Sequence, residues 1–335
     1  MRQAPTPACL IFFMSSLIHR FLVVALAFSA IAGLAAAQSP AKPSAADASS
    51  STRKALTLAE RGRCREALPI LKKSAPQAAD KQLKLKAGLA TVRCALSLNQ
   101  TDTATNALLW LNRDFPSDPD VLYVTTHAYS DLSTRAALQL ASTAPLSVQA
   151  RELNAEALES QAKWDDAAAE YNQILKQRPD MPGIHYRLGR IILSKPPTAT
   201  MTDDARNEFQ AELKIDPNNA GAEYVLGELS RQAQQWDDAI EHFARASKLD
   251  ANFANAFLAL GLSLNSAGRY AEAIAPLETE VKLQPANPTG HYQLTIAYRK
   301  AGRKEDAQRE MALFQKTSEQ AQKEQRSEGQ QQPPQ

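Results

Sequence analysis

An all-α solenoid of stacked helix pairs is the fold class this sequence predicts, on three observations. Apolar residues recur at spacings of three and four, which places them on one face of a helix. The pattern returns every 34 residues over much of the chain. Composition favours helix: 335 residues carry only 12 Gly and 6% aromatics, with helix formers dominating.

The clearest unit runs from Ala254 to Asn287. Phe257, Leu260 and Leu264 mark a first helix, and Ile274, Leu277 and Val281 a second. Ser266-Ala267-Gly268 breaks the pattern between them and Pro285 ends it. Gly261 and Ala273 lie one on each helix, small enough to let the two backbones approach closely. Tyr270 enters the second helix, where an aromatic can seal the crossing. The preceding segment repeats these positions as Leu226, Gly227, Trp236, Ala239, Ile240, Phe243, Ala246 and Leu249. The following one repeats them as Leu294, Tyr298, Gly302, Ala307, Met311 and Phe314.

This pattern resembles the tetratricopeptide repeat family, whose W-x2-L-G-x2-Y, A-x3-F, P signature is met by Phe257, Leu260-Gly261, Leu264, Ala273, Leu277 and Pro285. Three consecutive matches make the resemblance specific. It implies an α-solenoid, a right-handed superhelix of antiparallel helix pairs with about eight units. It also implies a concave surface lined by first-helix residues that binds a protein or peptide. Gly189, Ala205, Gly227, Ala239, Gly261, Ala273, Pro285 and Ala307 are then the structural repeat positions.

Residues 1–37 read as an export signal of bacterial type. His19-Arg20 precede an apolar run from Phe21 to Leu34 and a small-residue exit at Ala35-Ala36-Ala37, with cleavage expected after Ala37. The run is short for a membrane span; an uncleaved anchor would have to include Leu10 to Ile18, and His19-Arg20 interrupt that. Met14 is an alternative start, and Cys9 is no lipobox cysteine. A periplasmic or extracellular location follows. Residues 38–50, rich in Ala, Ser and Pro, are expected to be a disordered linker.

Degenerate units are expected over 51–147: Ser51 to Ala79, Lys81 to Pro119, and Asp120 to Pro145, the last with a short turn between helices that carry Leu122, Tyr123, His127 and Leu138. The regular array spans 148–317, beginning with Ala155, Leu158, Trp164, Ala167, Tyr171 and Pro179. From Pro182 to Asn219 the spacing departs. Leu188-Gly189 stands sixteen residues before Ala205, not twelve, so about four extra residues including Pro196-Pro197 must loop out. Residues 318–335 should extend the last helix to about Arg326 as a polar cap and end in a disordered tail from Gly329.

Charge excludes one class of partner. Lys and Arg total 38 against 36 Asp and Glu, and loss of the first 37 residues would leave 36 against 36. A neutral chain has no basic balance for nucleic acid. No catalytic constellation, metal set or cofactor motif is present: the chain lacks G-x-S-x-G, a Walker loop, H-E-x-x-H and C-x-x-C. His185 and His291 take the repeat's Trp position and read as packed histidines, His242 reads as surface, and Asp203-Asp204 as helix-capping residues.

Cys64 and Cys94 fall on neighbouring helices of the first two units. An exported chain could bridge them, and the bridge would contribute roughly 3–4 kcal/mol in the chain-entropy model. Strict repeat register opposes this, because it offsets them by roughly 9 Å along the axis, beyond the usual limit of roughly 7 Å between Cα atoms. Both readings, bridge and two buried small residues, stay open.

The resemblance places Tyr186, Tyr224, Leu258 and Tyr292 at one inner-face position of successive first helices. Arg190, Leu193, Glu228, Arg231, Leu262, Asn265, Ile296 and Arg299 follow four and seven residues on. Aromatics interleaved with arginines suit a peptide groove; the same tyrosines could instead pack on neighbouring helices. Tyr stands where some family members use Lys to clamp a terminal carboxylate, which argues against that clamp. The expected activity is a non-catalytic scaffold with a protein or peptide partner and no cofactor. Two alternatives are an architectural or self-associating part of an envelope complex and, last, an enzyme acting on envelope polysaccharide or peptide.

Overall fold

The computed structural model describes residues 45–331, and every described element is helical. In order they are α1 (Ala45–Glu60), α2 (Cys64–Ser74), α3 (Lys81–Ser97), α4 (Thr101–Asp114), α5 (Pro119–Thr143), α6 (Val148–Ser160), α7 (Trp164–Gln177), α8 (Ile184–Ser194), α9 (Met201–Ile215), α10 (Ala220–Gln232), α11 (Trp236–Leu249), α12 (Ala254–Ser266), α13 (Tyr270–Leu283), α14 (Pro288–Lys300) and α15 (Lys304–Gln331). Seven helix pairs form, with the single helix α5 in the place of an eighth. The chain divides into two compact units at Val124 and Thr125.

In every pair but α8 and α9, whose longer connection has no left-handed residue, the same chemistry turns the chain between the two helices. Gly62, Gly268 and Gly302 adopt positive φ there, and Asn99, Ala162 and Gln234 take that left-handed conformation at φ of 56°, 55° and 58°. The next amide then donates to the carbonyl five residues back: Arg269 N–H to Leu264 O at 2.8 Å, Gln235 N–H to Ser230 O at 2.9 Å, Arg303 N–H to Tyr298 O at 2.8 Å. This is the Schellman closure, which satisfies otherwise orphaned carbonyls at the end of the first helix. An isolated left-handed Ala or Gln costs roughly 1 kcal/mol, so the packing of the pair must hold Ala162 and Gln234 in place.

In the first unit α2 and α3 form an antiparallel hairpin through a short 3-10 turn at Ala75–Gln77. Ala55, Ala67, Leu71, Ala75, Ala87 and Ala90 make its core. The Asp80 carboxylate accepts from Leu83 N–H at 2.6 Å and starts α3. Cys64 and Cys94 are joined in a disulfide with their Cα atoms 5.0 Å apart. The offset expected from strict repeat register does not apply. Cys64 opens α2 and Cys94 lies near the end of α3, so the antiparallel hairpin brings those two ends side by side.

In the second unit, small residues sit where helices cross. Ala205, Ala239 and Ala273 are wholly buried and Ala307 is 7% exposed. A Cβ on Gly189 would lie 2.8 Å from Phe209, on Gly227 2.7 Å from Phe243, and on Gly261 2.3 Å from Leu277. No larger residue fits without displacing the facing side chain. The inserted turn loops out between Ser194 and Met201. Lys195 within it reaches back to Asp165 at the start of α7, at 2.5 Å.

Several boundaries differ from the sequence reading. Residues 1–37, with the expected signal, and most of the linker lie outside the described residues; α1 begins at Ala45, within the span expected to be linker. Residues 120–143 form one helix, not two, because the stretch expected to turn holds no Gly or Pro to stop it. At the other end α15 reaches Gln331, five residues past Arg326 and into the expected tail. No helix among the described residues is long and apolar enough to cross a membrane.

Candidate partner-binding groove

Helix packing identifies the inner face of the second unit. First helix packs on first helix along the stack, α10 on α12 and α12 on α14, whereas no comparable packing joins α11 to α13 or α13 to α15. The closely spaced row of a curved stack lies inside the curve. First helices therefore line the inner face.

The structure disperses the expected tyrosine ladder. Tyr186 packs edge-on to Phe209 with ring centroids 5.6 Å apart. Tyr224 lies between Phe243 and Phe253, at 5.5 and 4.9 Å, and burial pushes its phenol up from its ordinary value. Tyr292 leans on Phe314 at 5.2 Å but stays 43% exposed. Each tyrosine rests on a neighbouring phenylalanine, which is the packing alternative, and Tyr292 keeps the most open surface. Leu258 packs against the core below it.

The remaining candidates divide by what they touch. Glu228 and Arg231 are paired on one helix, at 2.7 Å, so each partly neutralises the other. Leu193 packs inward and the Asn265 amide donates to Gln293 of the next first helix. Arg190 is exposed, and Leu262 and Ile296 are half-buried. Arg299 belongs to a different cleft at the end of the stack, with Thr295, Lys304, Ala307 and Met311.

Arg190 lines a cleft of about 320 Å³ with Glu156, Glu159, Ser160, Trp164, Ile191 and Ser194. Beside it the Arg187 guanidinium bridges Glu156 at 2.5 Å and Glu159 at 3.4 Å, and the Tyr171 hydroxyl donates to Glu159 at 2.6 Å. Glu156 and Glu159 went unremarked in the sequence. The signal was available: they precede Arg190 and Leu193 by 34 residues, so they share repeat positions with them. The inner face is thus graded, ionic along α6, α8 and α10 and apolar at Leu262 on α12 and Ile296 on α14.

A second feature that the sequence reading missed is a polar pair between the helices of four of the five helix pairs from α6 to α15. Arg151 meets Glu170 at 2.7 Å, His185 meets Glu208 at 2.7 Å, Glu223 meets His242 at 2.6 Å, and His291 meets Glu310 at 2.7 Å. All four occupy one repeat position, and Phe257 and Pro276 replace the pair in the remaining unit. His242, expected at the surface, is therefore a partly buried partner. Burial would raise the Glu223 carboxyl, but hydrogen bonds from His242 and Arg245 outweigh it and hold it below its ordinary value.

Two buried glutamates stand where the repeat elsewhere has Ala246. Glu212 accepts from the amides of Gly183 at 2.7 Å and Tyr186 at 3.2 Å, capping α8. Glu280 is also wholly buried; its Oε1 accepts from the Asn287 amide at 2.6 Å, while its Oε2 has no hydrogen-bond donor. Burial pushes the Glu280 carboxyl up, against the lowering effect of Asn287 and His291. Its stabilising contribution is thus full below the ordinary carboxylate range and lost as pH rises through the raised folded value. Glu280→Gln should raise Tm more at pH 8 than at pH 4. Equal shifts in melts at the two pH values would contradict this.

Stacked helix pairs, with first helices on the inner face and small residues at the crossings, define an all-α repeat array. Part of that array matches a known repeat: the family model described as tetratricopeptide repeat matches residues 134–182, 152–196, 202–252 and 224–288. A search of the curated proteins finds no match. Among solved structures the chain is similar to a crystal structure of MamA, at 22% identity over 50% of this chain and 96% of that one, with TM-score 0.45. It is similar to YrrB, titled a TPR protein with an unusual peptide-binding site, at 20% identity over 54% and 92%, with TM-score 0.47. MamA from Desulfovibrio magneticus RS-1 gives 16% identity over 52% and 96%, with TM-score 0.45.

Proposed function

We propose that this chain is an exported, non-catalytic scaffold that binds an extended segment of a partner protein along the inner face of its second unit. The graded inner face carries the reading. Arg190, Glu156 and Glu159 offer charged hydrogen bonding at one end, and Leu262 and Ile296 offer apolar contact at the other. The repeats support a protein partner. Export is supported by the apolar run before Ala35-Ala36-Ala37 and by the Cys64–Cys94 bridge, which suits an oxidising compartment.

A photo-crosslinking residue at Leu262 on the inner face, against one at Lys248 on an outer helix, tests the groove in cells. Adducts should form from position 262, and Arg190→Glu should reduce them at least several-fold. Equal adducts from both positions, or none from 262, would remove the groove. Amino-terminal sequencing of the mature protein tests export, with Gln38 as the expected first residue.

A further inference from the structure

The groove between α14 and α15 is the last in the stack, and the corresponding groove one unit earlier shows what such a groove holds. There, α12 and α13 receive α14. Ile274 and Leu277 pack against Leu294, Ala297 and Tyr298. Asn265 donates to Gln293, and the Tyr298 hydroxyl donates to Glu278 at 2.5 Å. The occupant is a helix with an apolar stripe at i, i+3 and i+4, held at its rim by polar contacts.

The final groove keeps this shape but changes its chemistry. It forms an open cleft of about 460 Å³ floored by Ala307, Met311 and Ala312. Each lining residue stands 34 positions after a counterpart in the filled groove: Arg299 replaces Asn265, Lys304 replaces Tyr270, and Ala312 replaces Glu278. The acid is lost and two cations appear at the rim. Neither cation has an ion-pair partner among the described residues; Asp306 is committed to Arg303 and Arg309, and Glu310 to His291. α15 does not fold back over the groove but continues straight to Gln331.

We propose that this terminal groove is a second docking site, separate from the inner face, and that it takes an amphipathic helix of a partner protein bearing an acidic flank. The floor would bury the apolar stripe as α12 and α13 bury that of α14. Arg299 and Lys304 would meet carboxylates where Asn265 meets Gln293 and Tyr270 meets Lys300 of α14.

The probe is a fluorescent synthetic peptide of residues 287–302 carrying Gln293→Glu and Lys300→Glu, the two positions that face the counterparts of Arg299 and Lys304, titrated into the full mature chain. Saturable anisotropy is expected, weakening at least tenfold when the protein carries Arg299→Glu with Lys304→Glu, and at least tenfold when the peptide carries Leu294→Asp. Both protein positions are exposed, so circular dichroism should show the variant folded. The internal groove lacks these cations, so loss of binding in the variant assigns the peptide to the end of the stack. Absence of saturable binding, or equal affinity for the variant, would overturn the proposal. Sedimentation showing that the chain alone self-associates through Lys304 would overturn it in favour of a second copy.

Discussion

Ala273→Glu is expected to lower stability by about 3–5 kcal/mol, the largest single effect the structure implies. Ala273 is wholly buried among Ile240, Leu277, Leu294 and Tyr298, in the cluster that ties α12, α13 and α14 together. A glutamate there needs volume that Gly261 and Leu277, already in contact, cannot release. It also places a carboxylate where the cluster offers no cation. Hydrogen exchange should show amide protection falling first across α12 to α14, because each repeat is held mainly by its neighbours. Ala301→Glu, at an exposed turn position, serves as the control and should melt like the native chain. A soluble Ala273→Glu protein with unchanged melting would show that this crossing does not hold the units together.

Loss of the disulfide is the second large effect and should be local. Cys64→Ser with Cys94→Ser, or reduction of the native chain, removes a constraint on a loop of sequence separation 30. The expected loss is roughly 3–4 kcal/mol in the chain-entropy model. The core it reinforces is built mostly of alanines, which bury little apolar area each. Exchange protection should therefore fall across α1 to α4 and remain unchanged across α10 to α13. Unaltered protection in α1 to α4, or equal thiol labelling with and without reductant, would remove the bridge from the account.

The crossings were legible in the sequence because they need only a small residue at a fixed phase. Gly189, Gly227, Gly261, Ala205, Ala239 and Ala273 could be placed by counting. Relations between helices were harder. The polar pairs require knowing which residue of a second helix faces which residue of a first, and the repeat signature fixes only the small and apolar positions. The disulfide stays open in the sequence for a related reason: the axial offset that opposes it assumes that the first two units keep full repeat spacing. A short turn at Ala75–Gln77 instead folds α3 back along α2, so Cys64 and Cys94 lie equally far from position 79 in the connection. The helix α5 was misread because a weak periodic pattern was taken for two helices without a residue able to part them. Side-chain type alone could not show that Tyr224 would be held between two phenylalanines.

Near-identical units can pair wrongly, one unit's first helix closing on its neighbour's second. The polar pairs bear on that hazard because their order is not uniform. Base precedes acid at His185–Glu208, and acid precedes base at Glu223–His242. An exchange between these two units would set Glu223 against Glu208 and His185 against His242, opposing like with like in a partly desolvated seam. The swapped order works as a key cut differently for adjacent locks, admitting the correct neighbour while the chain is still closing.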